Sequence, residues 1–442
     1  MPLIAESRAK AAGLKAIPGH PGLPVVGRTF DYLLGKGAYD TEYYERFGPV
    51  NWHRAFGLTM INVSGVEATN TVLRNADRAY ANEPGWSFFL GPFFRRGLVV
   101  LDFDEHMQNK RIMQRAFTRE RLIGYLGNMT PTIRETVQSW RPGRRFEVYP
   151  QVKNLTLDIA ARTFIGERLG RESEQIKRAF VHCVEATTTP LRMPIPFSPW
   201  ARGLSSRKFL EEYLRPRVAL ARKADRDDLL AALCHVQSEE GEKFTDDDVI
   251  DHMIFLLMAA HDTSTIAATA MIYRLAANPE WQRRCREEAL ALGRDDLEYA
   301  DLDRLPVLDL VFKESLRLTT PIPGILRKTV KDTELMGHLV PKDSFINIML
   351  NTTHHMADLW DNPNTFDPER FERGEGKNSW MPFGGGVHKC IGLYFGGMEV
   401  KALLHQMLLN YEWSVPAGYR LDMDWSSLPK PRDGLRINLT RR

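Results

Sequence analysis

The run from Asp246 to Ala277 reads as one long helix, and it limits what the rest of the chain can do. Thr245 can cap it by accepting a backbone N–H bond, and Asp246, Asp247 and Asp248 place negative charge in the first turn, where the helix dipole favours it. Asn278-Pro279 stops it, because proline disfavours the helical conformation of the residue before it. About thirty-two residues make a rod of roughly 48 Å. A rod of that length must cross a whole molecule. Its middle, Phe255-Leu256-Leu257-Met258-Ala259-Ala260, is apolar all round and therefore buried. His261, Asp262, Thr263, Ser264 and Thr265 follow directly. Polar groups in the centre of a buried helix are costly unless paired. Ala259 and Ala260 leave space beside them that larger residues would fill.

Composition excludes several classes of function. A formal net charge of +3 over 442 residues gives no case for nucleic-acid binding, and no run of like charges resembles a tail. Length alone, as a soft prior, suggests two or three domains. No internal repeat or low-complexity segment is present. Cys183, Cys234, Cys285 and Cys390 lie far apart without C-x-x-C spacing. That disfavours a zinc site or a disulfide framework and fits a reducing compartment. The N-terminus has no apolar core of signal-peptide length, and no stretch approaches the ~18 consecutive apolar residues of a membrane span. The expectation is a cytoplasmic protein with no membrane anchor.

The second informative stretch is Phe383-Gly384-Gly385-Gly386-Val387-His388-Lys389-Cys390-Ile391-Gly392. Glycine opens backbone angles closed to other residues and lets a bulky group approach the chain. Downstream, Leu393, Val400, Leu404, Met407 and Tyr411 recur at helical spacing, so Cys390 stands just before a helix N-terminus. The partial positive charge there favours a thiolate. The alternative is a glycine-rich loop with a buried structural cysteine.

The stretch resembles the haem-ligand loop of the cytochrome P-450 monooxygenases, F-x-x-G-x-(R or H)-x-C-x-G. Phe383, Gly386, His388, Cys390 and Gly392 fill its fixed positions. The resemblance implies that Cys390 is the proximal ligand of the iron of haem b, its thiolate pushing electron density toward O–O cleavage. It also implies that Phe383 covers the sulfur, that Gly386 leaves room for the macrocycle, and that His388 takes the propionate contact most members give to arginine. Three more motifs follow the family's order. Ala259-Ala260-His261-Asp262-Thr263 is similar to the oxygen-binding run (A/G)-(A/G)-x-(D/E)-T. Glu314-Ser315-Leu316-Arg317 matches E-x-x-R, and Pro368-Glu369-Arg370-Phe371 matches P-E-R-F.

Carried over, Ala259 and Ala260 face the distal side of the iron, and Asp262 and Thr263 deliver protons to the reacting oxygen. A threonine there can hydrogen-bond a preceding carbonyl or loosen the helix; the alternative for Asp262 is an ion pair elsewhere. Glu314, Arg317 and Arg370 are expected to form a buried cluster that locks the ligand loop. His106 and Lys110, four apart on a helix from about Asp104 to Phe117, resemble the haem-propionate pair, although the family usually has arginine at the second position; a solvated basic face is the alternative. Arg327 resembles the strand arginine that pairs with a propionate, unless it is an ordinary surface arginine. His354-His355 resembles a structural segment rather than a metal pair. His261 reads as a packed or hydrogen-bonded histidine rather than a ligand.

The rest is coarser. Residues 1–26 read as an arm, with Pro18-Gly19-His20-Pro21-Gly22-Leu23-Pro24 barred from helix. A short helix is expected near Asp40–Phe47, a hairpin over Val50–Val63 turned at Phe56-Gly57, and a helix over Val66–Asn75. Glu83–Val100 reads as an aromatic loop over an apolar cavity, with Trp86 and Phe89 the pocket residues; packing of these rings into the core is the alternative. Further helices are expected at Glu120–Leu126, at Pro131–Gln138 with Pro131 first, at Leu155–Phe164, Glu172–Glu185, Leu204–Lys223 and Asp227–Gln237. Thr187–Trp200 reads as an apolar loop, corresponding to the family's mobile lid. Ile322, Ile325 and Leu326 are candidate substrate contacts. Leu335–Val340 and Ser344–Leu350 read as a small sheet, and Ser426–Ile437 as a last hairpin whose tip reaches the cavity.

The expectation is a mainly α fold with small β-sheets, the triangular haem-thiolate prism of that family, formed by residues 27–442 as one domain around the long helix. Its reaction would insert one atom of O2 into a bulky apolar substrate, of the steroid, terpenoid or lipid class. Electrons would come from a separate ferredoxin and ferredoxin reductase, docking on a basic face that includes Lys389, Arg111 and Arg115. The rivals are a peroxide-driven enzyme, against which the Asp262-Thr263 pair argues, and a non-catalytic haem ligand-binding protein.

Overall fold

The computed structural model describes residues 2–35, 40–166, 173–187, 189, 192–224, 226–239 and 241–442. Helices α1 (Pro2–Ala11), α2 (Thr29–Leu33), α3 (Thr41–Phe47) and α4 (Val66–Arg74) come first. They are followed by α5 (Glu83–Leu90), α6 (Phe103–Gln114), α7 (Arg119–Ser139), α8 (Val148–Ile165), α9 (Ser173–Thr187) and α10 (Pro199–Ala221). Then come α11 (Leu229–His235), α12 (Asp246–Ala277), α13 (Pro279–Ala291), α14 (Pro306–Leu318), α15 (Leu350–Thr353) and α16 (Leu393–Asn410). The strands are β1 (Val50–Ala55), β2 (Leu58–Val63), β3 (Tyr80–Ala81), β4 (Gly143–Glu147), β5 (Gly324–Thr329) and β6 (Thr333–Leu335). After these come β7 (His338–Val340), β8 (Phe345–Met349), β9 (Tyr411–Ser414), β10 (Met423–Asp424), β11 (Lys430–Pro431) and β12 (Arg436–Arg441).

The chain forms two compact units, one of Met1–Phe88, Lys313–Cys390 and Met423–Lys430, the other of Phe89–Phe312, Ile391–Asp422 and Pro431–Arg442. The first is built on a sheet of order β1-β2-β8-β5-β3. The expected hairpin is there: Val50 pairs with Val63 and Ala55 with Leu58, antiparallel. Phe56 and Gly57 both take left-handed angles, φ 53° and 75°, which suits the twist of a two-residue turn. β8 lies between β2 and β5, parallel to the first and antiparallel to the second. Val50, Ile61, Val63, Val72, Leu73, Ile346 and Ile348 form the core beneath it.

Here one expectation is corrected. β6 and β7 form a two-stranded sheet of their own, and β8 belongs to the larger sheet. Four of the five residues of β8 are buried, which a central strand accommodates and a small surface hairpin cannot.

The second unit is mostly helical. α12 runs unbroken over the predicted residues, with Thr245 and Asp248 exchanging side-chain and backbone bonds as a capping box. Among the described helices it alone has the length and apolarity of a membrane span, yet most of it is buried inside the protein, as a core helix is. A second expectation is corrected at α7. The helix passes straight through Pro131 instead of starting there. Leu122, Tyr125, Leu126, Met129, Ile133 and Val137 form one buried stripe, and that burial outweighs a local proline cost of about 3 kcal/mol.

The stretch Glu83–Val100 is not all loop: Glu83–Leu90 is α5, with Pro84 in its first turn, where the missing N–H costs nothing. Phe93 and Phe94 are fully buried in the core, whereas Trp86 and Phe89 are half-buried. Glu172 of the expected helix, and Thr188, Pro190 and Leu191 of the expected lid, lie outside the described residues. At the C-terminus the expected hairpin is closed at its base by the Arg432 N–H to the Asp422 carbonyl, 2.9 Å, and Trp425 packs over Gly35. Residues beyond it continue as β12, the middle strand of a sheet of order β4-β12-β9.

Candidate functional site

In the first unit the glycine loop is held at both ends. The Cys390 N–H donates to the Phe383 carbonyl, 3.0 Å, and the Gly384 N–H to that of Met381, 3.0 Å. Gly386 has φ +60°, and a Cβ there would lie 1.9 Å from the Leu73 carbonyl oxygen, so only glycine fits. Phe383 sits edge-on to Trp380, ring centroids 5.9 Å apart, and the Trp380 indole donates to the Lys313 carbonyl, 2.9 Å. His354 explains its own place in the sequence. The Met381 N–H donates to its Nε2, 3.1 Å, and its Nδ1 meets the Thr320 hydroxyl, 2.7 Å. Burial holds this imidazole neutral by pushing its pKa well down. It is a tether for the start of the ligand loop.

The predicted ion cluster is present and almost fully buried. Glu314 receives Arg317 through two parallel bonds of 2.8 Å, and Arg370 Nε at 3.1 Å. The Asp367 N–H adds a further bond, 3.0 Å. Arg317 also donates to the carbonyls of His354 and Pro363, both 2.7 Å, and Arg370 reaches Glu375, 2.7 Å. The cluster therefore ties α14 to the segment ahead of the cysteine.

The sequence did not reveal that Asn82 donates to His388 Nδ1, 2.9 Å. An amide NH2 can only donate, so Nδ1 accepts and the ring proton sits on Nε2. Arg327 is buried on β5 and packs against Gly85 of α5; it is no ordinary surface arginine. Ile325 packs against the core and beside Gly384, while Ile322 is half-buried.

In the second unit α12 presents two different flanks. Ala259, Ala260 and Thr263 are only partly covered, whereas His261 and Asp262 are buried. The Thr263 hydroxyl donates to the Ala259 carbonyl, 2.7 Å, one of the two arrangements expected of it. Asp262 meets Lys153 of α8 at 3.1 Å, a partner the sequence left unnamed; Asp262 is 6% exposed and Lys153 30%. His261 Nε2 lies 3.2 Å from the same carboxylate oxygen, its Nδ1 donates to the Leu257 carbonyl, and burial pushes its pKa down. One residue further on, Ser264 bonds to Glu399 of α16, whose carboxyl is raised to about 8 by burial. His106 is buried and Lys110 half-buried on α6. Asn109, between them, accepts from His252 of α12, 3.0 Å.

These residues fit a haem. Cys183 and Cys234 are buried, their thiols raised by burial to about 12 and about 11, and Cys285 is raised as well. Cys390 is the exposed thiol of the four. The Trp86 indole N–H is buried with no partner among the described residues, as a donor awaiting a polar ligand would be.

A helical fold with a cysteine loop locked in this way is that of a haem-thiolate protein. The chain belongs to the cytochrome P450 family, whose sequence pattern matches residues 17–437. It is 42% identical to a putative cytochrome P450 136 of Mycobacterium tuberculosis, over 98% of this chain and 90% of that one. It is 26% identical to abscisic acid 8'-hydroxylase 1 of Arabidopsis thaliana, over 100% and 94%. The retinoic acid-bound cyanobacterial CYP120A1 superposes with a TM-score of 0.87 at 26% identity, covering 97% of this chain and all of that one. The protein is thus a monooxygenase with haem b as its cofactor. When bound, that group supplies the activation of O2, and a cysteine thiolate would hold it.

Proposed function

We propose that this monooxygenase hydroxylates a bulky apolar molecule of the steroid, terpenoid or lipid class, using electrons from a separate ferredoxin and its reductase. The observation that carries the reading is the pairing of Asp262 and Thr263 on α12, in a chain of this family. Asp262 would take protons that enter past the partly exposed Lys153 and pass them to Thr263, whose hydroxyl can turn from the Ala259 carbonyl toward the reacting oxygen. Cys390 would ligate the iron. Phe383 and Gly386 would shape the sulfur side. His388, through Nε2, would meet the propionates together with Arg327, His106 and Lys110. Trp86, Phe89, Ala259, Ile322 and Ile325 would line the substrate space.

Lys389, Arg111 and Arg115 are exposed cations suited to an acidic electron carrier. Residues 27–442 would act as one domain behind an arm of residues 1–26; the family pattern spans nearly all of that range as a single match. A cytoplasmic location suits four cysteines of which none forms a disulfide. The test is turnover of a steroid, terpenoid and lipid library with O2 and a surrogate ferredoxin–reductase pair. Oxygenated product that depends on O2 and the reductant supports the proposal. Product formed only with added peroxide overturns it.

A further inference from the structure

Within the second unit, α6 is tied to the early turns of α12 by one buried bond. The inward face of α6 carries His106, Asn109, Ile112 and Met113, so half of it is polar. A buried amide is costly unless its polar atoms are bonded. Asn109 Nδ2 donates back along its own helix to the Glu105 carbonyl, 2.9 Å, which leaves Oδ1 as an acceptor for another element. The fully buried His252 of α12 takes that place, its Nε2 3.0 Å from Oδ1. An amide oxygen can only accept, so the imidazole proton sits on Nε2.

Phe244 packs on the His252 ring, centroids 4.7 Å apart, and burial keeps the ring neutral, its pKa lowered to about 4. Its Nδ1 is buried with no hydrogen-bond partner among the described residues, which works against stability. The bond to α6 is what this imidazole contributes. A second tie lies at the surface: Arg96 spans Glu105 of α6 and Asp248 of α12, 2.8 and 2.9 Å, where an exposed pair holds little. Successive residues of an α-helix turn by about 100°, so His106 and Lys110 share a face, about 40° apart. Asn109 lies about 60° from the first and about 100° from the second, on the same side. Anchoring Asn109 therefore fixes the rotation of α6 about its axis and the direction of that face.

We propose that His252 is a positioning residue for the cofactor: by holding Asn109 it sets the rotation of α6 that turns His106 and Lys110 toward the haem propionates. This rests on the propionate role proposed above for that pair and extends it to a residue of α12 that acts through α6. Without the bond, α6 is free to turn, and less positive charge faces the propionates. The haem is then held less tightly, and its ferric state is favoured over the ferrous.

The experiment follows haem transfer from the holoenzyme to excess apomyoglobin, together with the ferric/ferrous midpoint potential. His252→Leu releases haem about 5-fold faster than the wild type and has a lower potential. Asn109→Ala, which removes the same bond from its other end, repeats both changes and decides the matter where His252→Leu does not accumulate. His252→Gln still presents a donor to Oδ1 and stays near the wild type. His106→Phe combined with Lys110→Met shifts both readings in the same direction, and adding His252→Leu to that pair changes neither. Wild-type readings in both His252→Leu and Asn109→Ala, a loss of thermal stability with neither shift, an equal shift in His252→Gln, or a His252→Leu effect that persists in the doubly substituted background overturns the proposal. Wild-type readings in the His106→Phe, Lys110→Met protein itself overturn the propionate role, and this inference with it; a shift there with none in His252→Leu and Asn109→Ala counts against His252 alone.

Discussion

Lys153 on α8 and Asp262 on α12 form an ion pair of 3.1 Å that joins a buried carboxylate to a partly exposed ammonium. The pair connects the acid beside Thr263 with solvent. If it carries protons, both residues bear on turnover but not on substrate binding. Asp262→Asn is expected to slow product formation about 100-fold and to raise the solvent isotope effect. Lys153→Ala should slow it about 10-fold, with a stability loss of about 1–3 kcal/mol from the uncompensated carboxylate. Steady-state rates in H2O and D2O check this; unchanged rates and isotope effects in both variants would count against the relay.

The Glu314–Arg317–Arg370 cluster has no exposed member, so removing one partner leaves buried charge behind. Glu314→Ala is expected to cost about 3–5 kcal/mol and to yield little haem-loaded protein. Glu314→Asp should fall between that variant and the wild type. The ratio of Soret to protein absorbance after purification, with urea midpoints, decides the matter. Normal haem content in Glu314→Ala would show that the ligand loop does not depend on the cluster.

Glu399 is 1% exposed, and its carboxyl is raised from 4.5 to about 8. The unfolded chain ionises it first, so the group removes stability as pH climbs through that window. At pH 7 the loss is about 3 kcal/mol. Glu399→Gln should therefore match the wild type near pH 4.5 and be the more stable of the two at pH 8, by a margin that grows between those values. Urea unfolding of both proteins at several pH values measures it. A pH-independent difference would mean that the carboxyl ionises alike in both states.

Much of this was legible because the chemistry fixes local spacing. Gly386 has to be glycine at φ +60° beneath Leu73, and Glu314 has to stand three residues from Arg317 to receive both of its nitrogens. The Thr245 cap and Asn278-Pro279 marked the ends of α12 to the residue. The misreadings came where tertiary burial overruled a local signal. Pro131 sits inside α7 because an apolar stripe continues past it, and Glu83–Leu90 is helical although Pro84 and Gly85 stand at its start. The pairs Lys153–Asp262, Asn82–His388 and Ser264–Glu399 join positions far apart in the chain. No period or motif encodes such partners; only the packing of helices and loops brings them together.

The central claim is that Cys390 is the thiolate on the iron, and the reduced carbon monoxide complex reports that bond directly. The account predicts a Soret band at the red-shifted, thiolate-type position in freshly purified protein, lost in Cys390→Ser and unaffected by Cys285→Ser. A band at the position of a histidine-ligated haem in the fresh wild-type protein, or a thiolate-type band that survives Cys390→Ser, would contradict it.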